Sequence, residues 1–248
     1  MENINKNQVC WDICGTIGIL TINTPPENKI LKPEFIPIEL LAEYVNNPSL
    51  RGLIITGVGR HFSSGADIDG IRSMTNDLSI MTSQMQKGHK LLNFLQNLQL
   101  PTVAAISGAC FGAGLEIALA CHIRICTENS LFAFPESALG LIPGLGGCSR
   151  LLKLTSVEAS MQLLFSGDVI DAQKAKNIGI VDQIVPNKQV KEFSIEYLNK
   201  LVADRHIKVI HSIVKSINNA RFLPMEEALQ KEAVMFCDLA VNTFGKEI

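Results

Sequence analysis

The sequence predicts an α/β core over residues 1–190, followed by a helical region over residues 191–248. Three observations predict it. Short apolar runs bounded by glycine or proline alternate with stretches of helical periodicity through the first three quarters of the chain. Beyond Pro186 the apolar spacing is helical to the end, with Ile207, Ile210, Ile213, Val214 and Ile217 on one face. No linker rich in Gly, Ser or Pro divides the chain, and no fixed-period repeat is present.

Each element has a local reason. Residues 9–12 and 17–22 alternate in polarity around Gly15 and predict a β-hairpin. Residues 36–45 carry helical spacing, with Pro33 and Pro37 interrupting the start. Residues 53–56, between Gly52 and Gly57, form a continuous apolar run, which predicts a strand covered on both faces. Leu91, Leu92, Leu95 and Leu98 form a helical stripe that Pro101 ends. Residues 102–106 predict a second buried strand, leading through Ser107 and Gly108 into a helix over 112–120. Residues 123–126 and 131–134 predict two more strands. Thr155 and Glu158 have capping-box spacing for a helix stopping at Gly167, and Asp171 can cap the next short helix. Residues 181–185 predict the last strand.

Composition narrows the function classes. Hydrophobic residues make up 47% of the 248 and charged residues 19%, which fits a large buried core. The formal net charge is −2, without a run of like charges, so a nucleic-acid partner is not expected. No apolar run reaches the roughly 18 residues of a membrane helix, and residues 1–8 lack the apolar centre of a signal peptide. The seven cysteines form no Cys-x-x-Cys pair and lie mostly in apolar segments, which predicts reduced core thiols in a cytoplasmic protein. Cys148, at the start of a predicted helix, is read as packing. No metal site is expected.

Three glycine-rich segments follow apolar strands: GVGRHFSSGAD at 57–67, SGACFGAGLE at 107–116 and FPESALGLIPGLGG at 134–147. Each is open to a plain reading as a tight turn. Glycine also lets a backbone approach a ligand and present its N–H groups. In the second segment Gly112, Ala113 and Gly114 open a helix, where unpaired N–H groups and the helix dipole favour a developing oxyanion. Glu116 lies one turn further on. It is either a dipole-stabilising glutamate or a group facing the same site. Glu136 follows Pro135 among Phe132, Ala133 and Phe134, a setting that desolvates a carboxylate and raises its pKa.

A strand followed by Gly108, Gly112 and Gly114 also has the look of a dinucleotide loop, but such loops normally lie near the N-terminus. The Tyr-x-x-x-Lys of short-chain dehydrogenases is missing, since Pro48 and Leu201 follow Tyr44 and Tyr197 at that spacing. No Gly-Lys-Ser/Thr follows the glycines, which removes a P-loop.

Residues 51–68, 108–116 and 135–150, followed by 166–172 and 175–182, resemble in order the signature blocks of the enoyl-CoA hydratase/isomerase (crotonase) family. The resemblance implies a crotonase-like spiral of ββα units with a helical C-terminal region that builds trimers or pairs of trimers. It implies an acyl-CoA thioester substrate, with CoA as part of the substrate and no separate cofactor. The thioester oxygen would be held by the N–H groups of Ala66 and Ala113. Ser64, Asp67 and Ile68 would lie along the CoA, and the N–H of Gly144 near the reacting water. Glu116 and Glu136 match the pair of hydratases, whereas isomerases need only the position of Glu136. Isomerase, decarboxylase and thioester-hydrolase chemistry, and a non-catalytic member of the fold, are the alternatives.

The chain departs from the family at four places. His122 stands where an aspartate is usual, and Ala113 replaces a glycine while keeping its N–H. Residues 25–30 lack the usual Asn-Ala-Leu of a CoA contact. The chain ends at 245–248, where many relatives continue with a basic helix, so a carrier-protein-bound acyl group stands beside CoA as the thioester carrier. The acyl pocket falls partly in residues 69–86, where a Met-, Ser- and Thr-rich sequence gives no size.

Overall fold

The hairpin opens the structure, a computed structural model that describes residues 8–245. The readings made on residues 1–7 and 246–248 lie outside the described residues. Strand β1 (Val9–Cys14) pairs antiparallel with β2 (Ile17–Ile22), with Gly15 at φ +61° in the turn. Helix α1 (Ile38–Val45) starts after Pro37, whose fixed φ and missing N–H suit a helix start. Then follow β3 (Gly52–Gly57), α2 (Ile68–Met74), α3 (Leu78–Gln96), β4 (Thr102–Ile106), β5 (Ala109–Phe111) and α4 (Ala113–Ala120). Strands β6 (Ile123–Thr127) and β7 (Leu131–Ala133) lead into a 3-10 turn, Pro135–Leu139. The chain continues through α5 (Gly147–Leu152), α6 (Val157–Ser166), β8 (Ile170–Asp171), α7 (Ala172–Asn177) and β9 (Gln183–Val185). It closes with α8 (Val190–Val202), α9 (Ile207–Phe222) and α10 (Met225–Phe244).

A six-stranded sheet has the order β1-β2-β3-β4-β6-β9, parallel after the hairpin, and a three-stranded sheet has the order β5-β7-β8. Strands β4 and β6 each run on into a short strand of the small sheet, so the chain spirals with a strand laid into each sheet per turn. Side chains alternate across the large sheet. Leu53, Ile55, Ala104 and Ile106 join the main core, while Ile54, Val103, Ala105 and Ile125 face the other way into a second cluster. Helix α8 covers that second face with Val190 and Leu198, packing on β2, β3, β4 and β6. The strands therefore read as apolar runs because both faces are covered.

Local details correct several expectations. The cap of α6 is Ser156, whose side chain accepts from the Ala159 N–H, and not Thr155, whose hydroxyl turns to Ser160 and the Leu151 carbonyl. Asp171 caps α7 as the spacing predicts, accepting from the Lys174 N–H. The apolar face of α9 is split, with Ile210 and Val214 buried while Ile213 and Ile217 are half exposed. The core reading holds for Cys110, Cys121 and Cys126. Cys10, Cys14 and Cys237 are exposed, the first two on the edge strand β1, whose later residues face solvent. All seven thiols are free. The short strand β5 was not foreseen, because three residues inside a glycine-rich segment carry no alternation to detect.

His122 is a structural residue. Its Nδ1 accepts from the Thr102 N–H at 3.1 Å, and its Nε2 faces Asn218 Nδ2 of α9 at 3.2 Å. Burial pushes its pKa down to about 4, with Arg221 and Arg124 adding to the shift. A neutral imidazole bonded to Thr102 at the start of β4 thus packs against α9.

Candidate active site

The segment after β3 is stitched between two others. Ser63 bridges to β5, donating from its N–H to the Ala109 carbonyl and accepting from the Phe111 N–H. Two residues on, the Gly65 carbonyl accepts from the Ile30 N–H, and the Asp67 N–H donates to the Ile30 carbonyl. In extended backbone alternate groups point to opposite sides, so these two bonds leave the Ala66 N–H facing away from Ile30. That N–H has no acceptor among the described residues. Gly65, at φ +106°, allows the close approach: a Cβ there would lie 3.2 Å from the Phe111 carbonyl oxygen and 3.9 Å from the Ala113 nitrogen.

Helix α4 begins at that point. All eight of its residues are buried, and Gly112 supplies no side-chain cap. The Ala113 N–H is thus an uncapped helix-start donor, with the positive end of the dipole behind it. Ala66 and Ala113 line the same cavity, of about 430 Å³. A single oxygen placed there could take both donors.

The cavity also collects Ser64, Asp67, Ile68, Glu116, Glu136 and Gly144, so every site residue singled out in the sequence lines it. Asp67 has a local task as well, capping α2 by accepting from the Gly70 N–H at 3.1 Å. The apolar wall comes from Ile71, Met74, Met81 and Met85 of α2 and α3, with Leu139, Leu141 and Ile142 opposite. The stretch 69–86 that gave no size in the sequence is this wall.

Glu116 is 1% exposed. Its Oε1 accepts from the Leu145 and Gly147 N–H groups, each at 2.7 Å. Burial raises its pKa to about 8, helped by the charge of Glu136 and opposed by those two donors and Arg150. Glu136 projects from the 3-10 turn. Its Oε2 is buried without a hydrogen-bond partner among the described residues, and burial raises its pKa too. Two carboxyl groups with different partners in one apolar cavity can hold different protonation states. Cys148 beside them is half-buried, and burial and the two glutamates raise its thiol pKa, which disfavours a thiolate nucleophile.

The sequence reading missed Leu145 and Gly147 as the donors to Glu116. The glycine-rich run 144–147 was the signal available, but it does not say which N–H points inward.

Comparison with known proteins follows the same lines. A family profile described as enoyl-CoA hydratase/isomerase matches residues 12–244. The chain belongs to the enoyl-CoA hydratase/isomerase family. Its fold is the crotonase fold: it superposes on an enoyl-CoA hydratase from Polaromonas sp. JS666 with a TM-score of 0.88 at 26% identity, covering 96% of this chain and 94% of that one. Pseudomonas aeruginosa DspI superposes with a TM-score of 0.85 at 28% identity, over 94% and 95%. Among curated relatives, the fatty acid oxidation complex subunit alpha of Shewanella frigidimarina is 38% identical over 190 residues, 74% of this chain and 27% of that protein. The chain spans about a quarter of the length of the curated relatives it matches.

Proposed function

We propose that this family member is an enoyl-CoA hydratase, adding water across the α,β-double bond of an acyl thioester. One observation carries the reading: Glu116 and Glu136 face a single apolar cavity that also presents the unpaired N–H groups of Ala66 and Ala113. Water attack at Cβ builds enolate character on the thioester oxygen, which the two N–H groups stabilise, each by roughly 3 kcal/mol. Ionised Glu116 takes the proton from water as it attacks. Protonated Glu136 delivers a proton to Cα. The reaction moves no electrons between molecules, so it calls on no redox cofactor, and CoA enters as part of the substrate. The backbone strip from Ser64 to Ile68 runs along the CoA. We place the protein in the cytoplasm, where its seven free thiols stay reduced.

A second reading, double-bond isomerisation, is favoured by the unpartnered Oε2 of Glu136, a carboxyl oxygen free to shuttle a proton by itself. A panel of enoyl thioesters, on CoA and on an acyl carrier protein, followed by mass spectrometry separates the readings. Hydration adds one water to the product mass, and isomerisation leaves the mass unchanged. Turnover on the carrier-linked panel alone would move the substrate from CoA to the carrier.

A further inference from the structure

The loop that holds Glu116 is itself held from behind. The Gly144 carbonyl accepts from His89 Nε2 at 2.6 Å, and the N–H of the same peptide unit, that of Leu145, donates to Glu116 Oε1 at 2.7 Å. A carbonyl only accepts, so Nε2 carries the proton. One peptide plane is thus gripped at both ends.

The next carbonyl, of Leu145, accepts from Arg150 Nη1 at 2.6 Å, and two residues on the Gly147 N–H makes the second bond to Glu116. Arg150 is anchored in turn, with Nε donating to Gln96 Oε1 at 3.0 Å and Nη2 to Asn93 Oδ1 at 2.8 Å. His89, Asn93 and Gln96 share one face of α3, at i, i+4 and i+7. A chain of bonds therefore runs from α3 through two side chains and a loop to the carboxylate.

Three of the four loop residues, Gly144, Gly146 and Gly147, are glycine, and Gly146 sits at φ +96°. Such a segment has little stiffness of its own, so its N–H groups stay aimed only if something outside fixes the peptide planes. Neither His89 nor Arg150 lines the reaction cavity. Both line a separate hollow of about 350 Å³ behind the loop, and His89 is exposed.

We propose that His89 and Arg150 are positioning residues that fix the orientation of Glu116 through loop 144–147 without touching the substrate. The proposal deepens the hydratase reading and rests on it for the role of Glu116. The charged and titratable groups facing Glu116 are Glu136 across the cavity, Cys148 at the start of α5 and Arg150 behind the loop. Burial and Glu136 push the Glu116 pKa up, and the two loop donors and Arg150 hold it down. Loosening the loop withdraws the donors, and the pKa climbs further.

The test measures the Glu116 titration midpoint by carboxyl ¹³C NMR, assigned with Glu116→Gln, alongside steady-state hydration. His89→Ala is expected to raise the midpoint by roughly one unit. It should lower kcat about ten-fold and leave KM within about two-fold, with an unchanged melting temperature. His89→Gln, which offers an amide N–H to the same carbonyl, should restore both. Arg150→Lys keeps the charge and loses the fork, and should also raise the midpoint. An unmoved midpoint in folded His89→Ala, or His89→Gln behaving like His89→Ala, overturns the proposal. A midpoint that moves as described in a protein that hydrates nothing removes the hydratase reading and leaves the positioning role standing.

Discussion

Gly112 and Glu136 occupy their places because one of them has no side chain: a Cβ on Gly112 would lie 2.6 Å from Glu136 Oε1. Gly112 also sits at φ +46°, ψ −120°, backbone that residues with a Cβ avoid. The same glycine precedes the Ala113 donor and admits the Glu136 carboxylate. Gly112→Ala is therefore expected to cost about 1–3 kcal/mol of stability through strain. It should also lower turnover by roughly 10–100-fold by displacing Glu136. Thermal denaturation and initial rates on the same preparation check both parts.

The Ala66 N–H makes no hydrogen bond among the described residues, so removing it tests its chemistry with little structural loss. Ala66→Pro deletes that donor and should reduce turnover roughly 10²–10³-fold. Circular dichroism checks that the fold survives, and kcat/KM on an enoyl thioester gives the result.

As Glu116 ionises, activity and stability run in opposite directions with pH. Its pKa is raised from 4.5 to about 8 by burial. As the base it must be ionised while Glu136 still holds its proton, so hydration should follow a bell-shaped pH profile, rising as Glu116 ionises and falling once both carboxyl groups have lost their protons. The folded state binds that proton more tightly than the unfolded chain, so stability falls as pH rises from 4.5 to about 8. The fall should be on the order of a few kcal/mol. Glu116→Gln should remove that part of the pH dependence, which denaturant unfolding at pH 5 and pH 8 measures.

Helices α10 and α6 leave a large apolar surface open. On α10, Leu229 and Phe236 lie seven residues apart, and Val234 and Val241 repeat the spacing, with Phe236 70% exposed. On α6, Val157, Met161 and Phe165 form a second exposed stripe at i, i+4 and i+8. The trimer or pair of trimers that the family resemblance implies would cover such a surface, and light scattering tests it. Phe236→Asp should shift the protein towards monomer by light scattering. A wild-type monomer at micromolar concentration would contradict this account of the surface.

Much of the fold was legible because burial is written in the residues. The runs at 53–56 and 102–106 are apolar throughout since both sheet faces are covered, one by the main core and the other by α8. Asp171 could be read as a cap because its side chain bonds three residues on. Strand β5 was hidden among glycines, and Thr155 and Ser156 offered adjacent hydroxyls that spacing could not separate. At the site, the positions of Glu116, Glu136, Ala66 and Ala113 followed from ordered motifs. The grip of Leu145 and Gly147 on Glu116, and of His89 on Gly144, depends on peptide-plane orientation across 29 to 55 residues of separation. No local pattern encodes that.

The central claim is that Glu116 and Glu136 act together on one water. Replacing each with Gln, singly and together, while following hydration and double-bond isomerisation on the same enoyl-CoA, tests it most directly. Each single change should lower hydration roughly 10²–10⁴-fold, and the double change should cost little more than the worse single one. Glu116→Gln should spare isomerisation, and Glu136→Gln should abolish it. Full hydration by Glu116→Gln would contradict the account and leave Glu136 as the sole acid–base group of an isomerase.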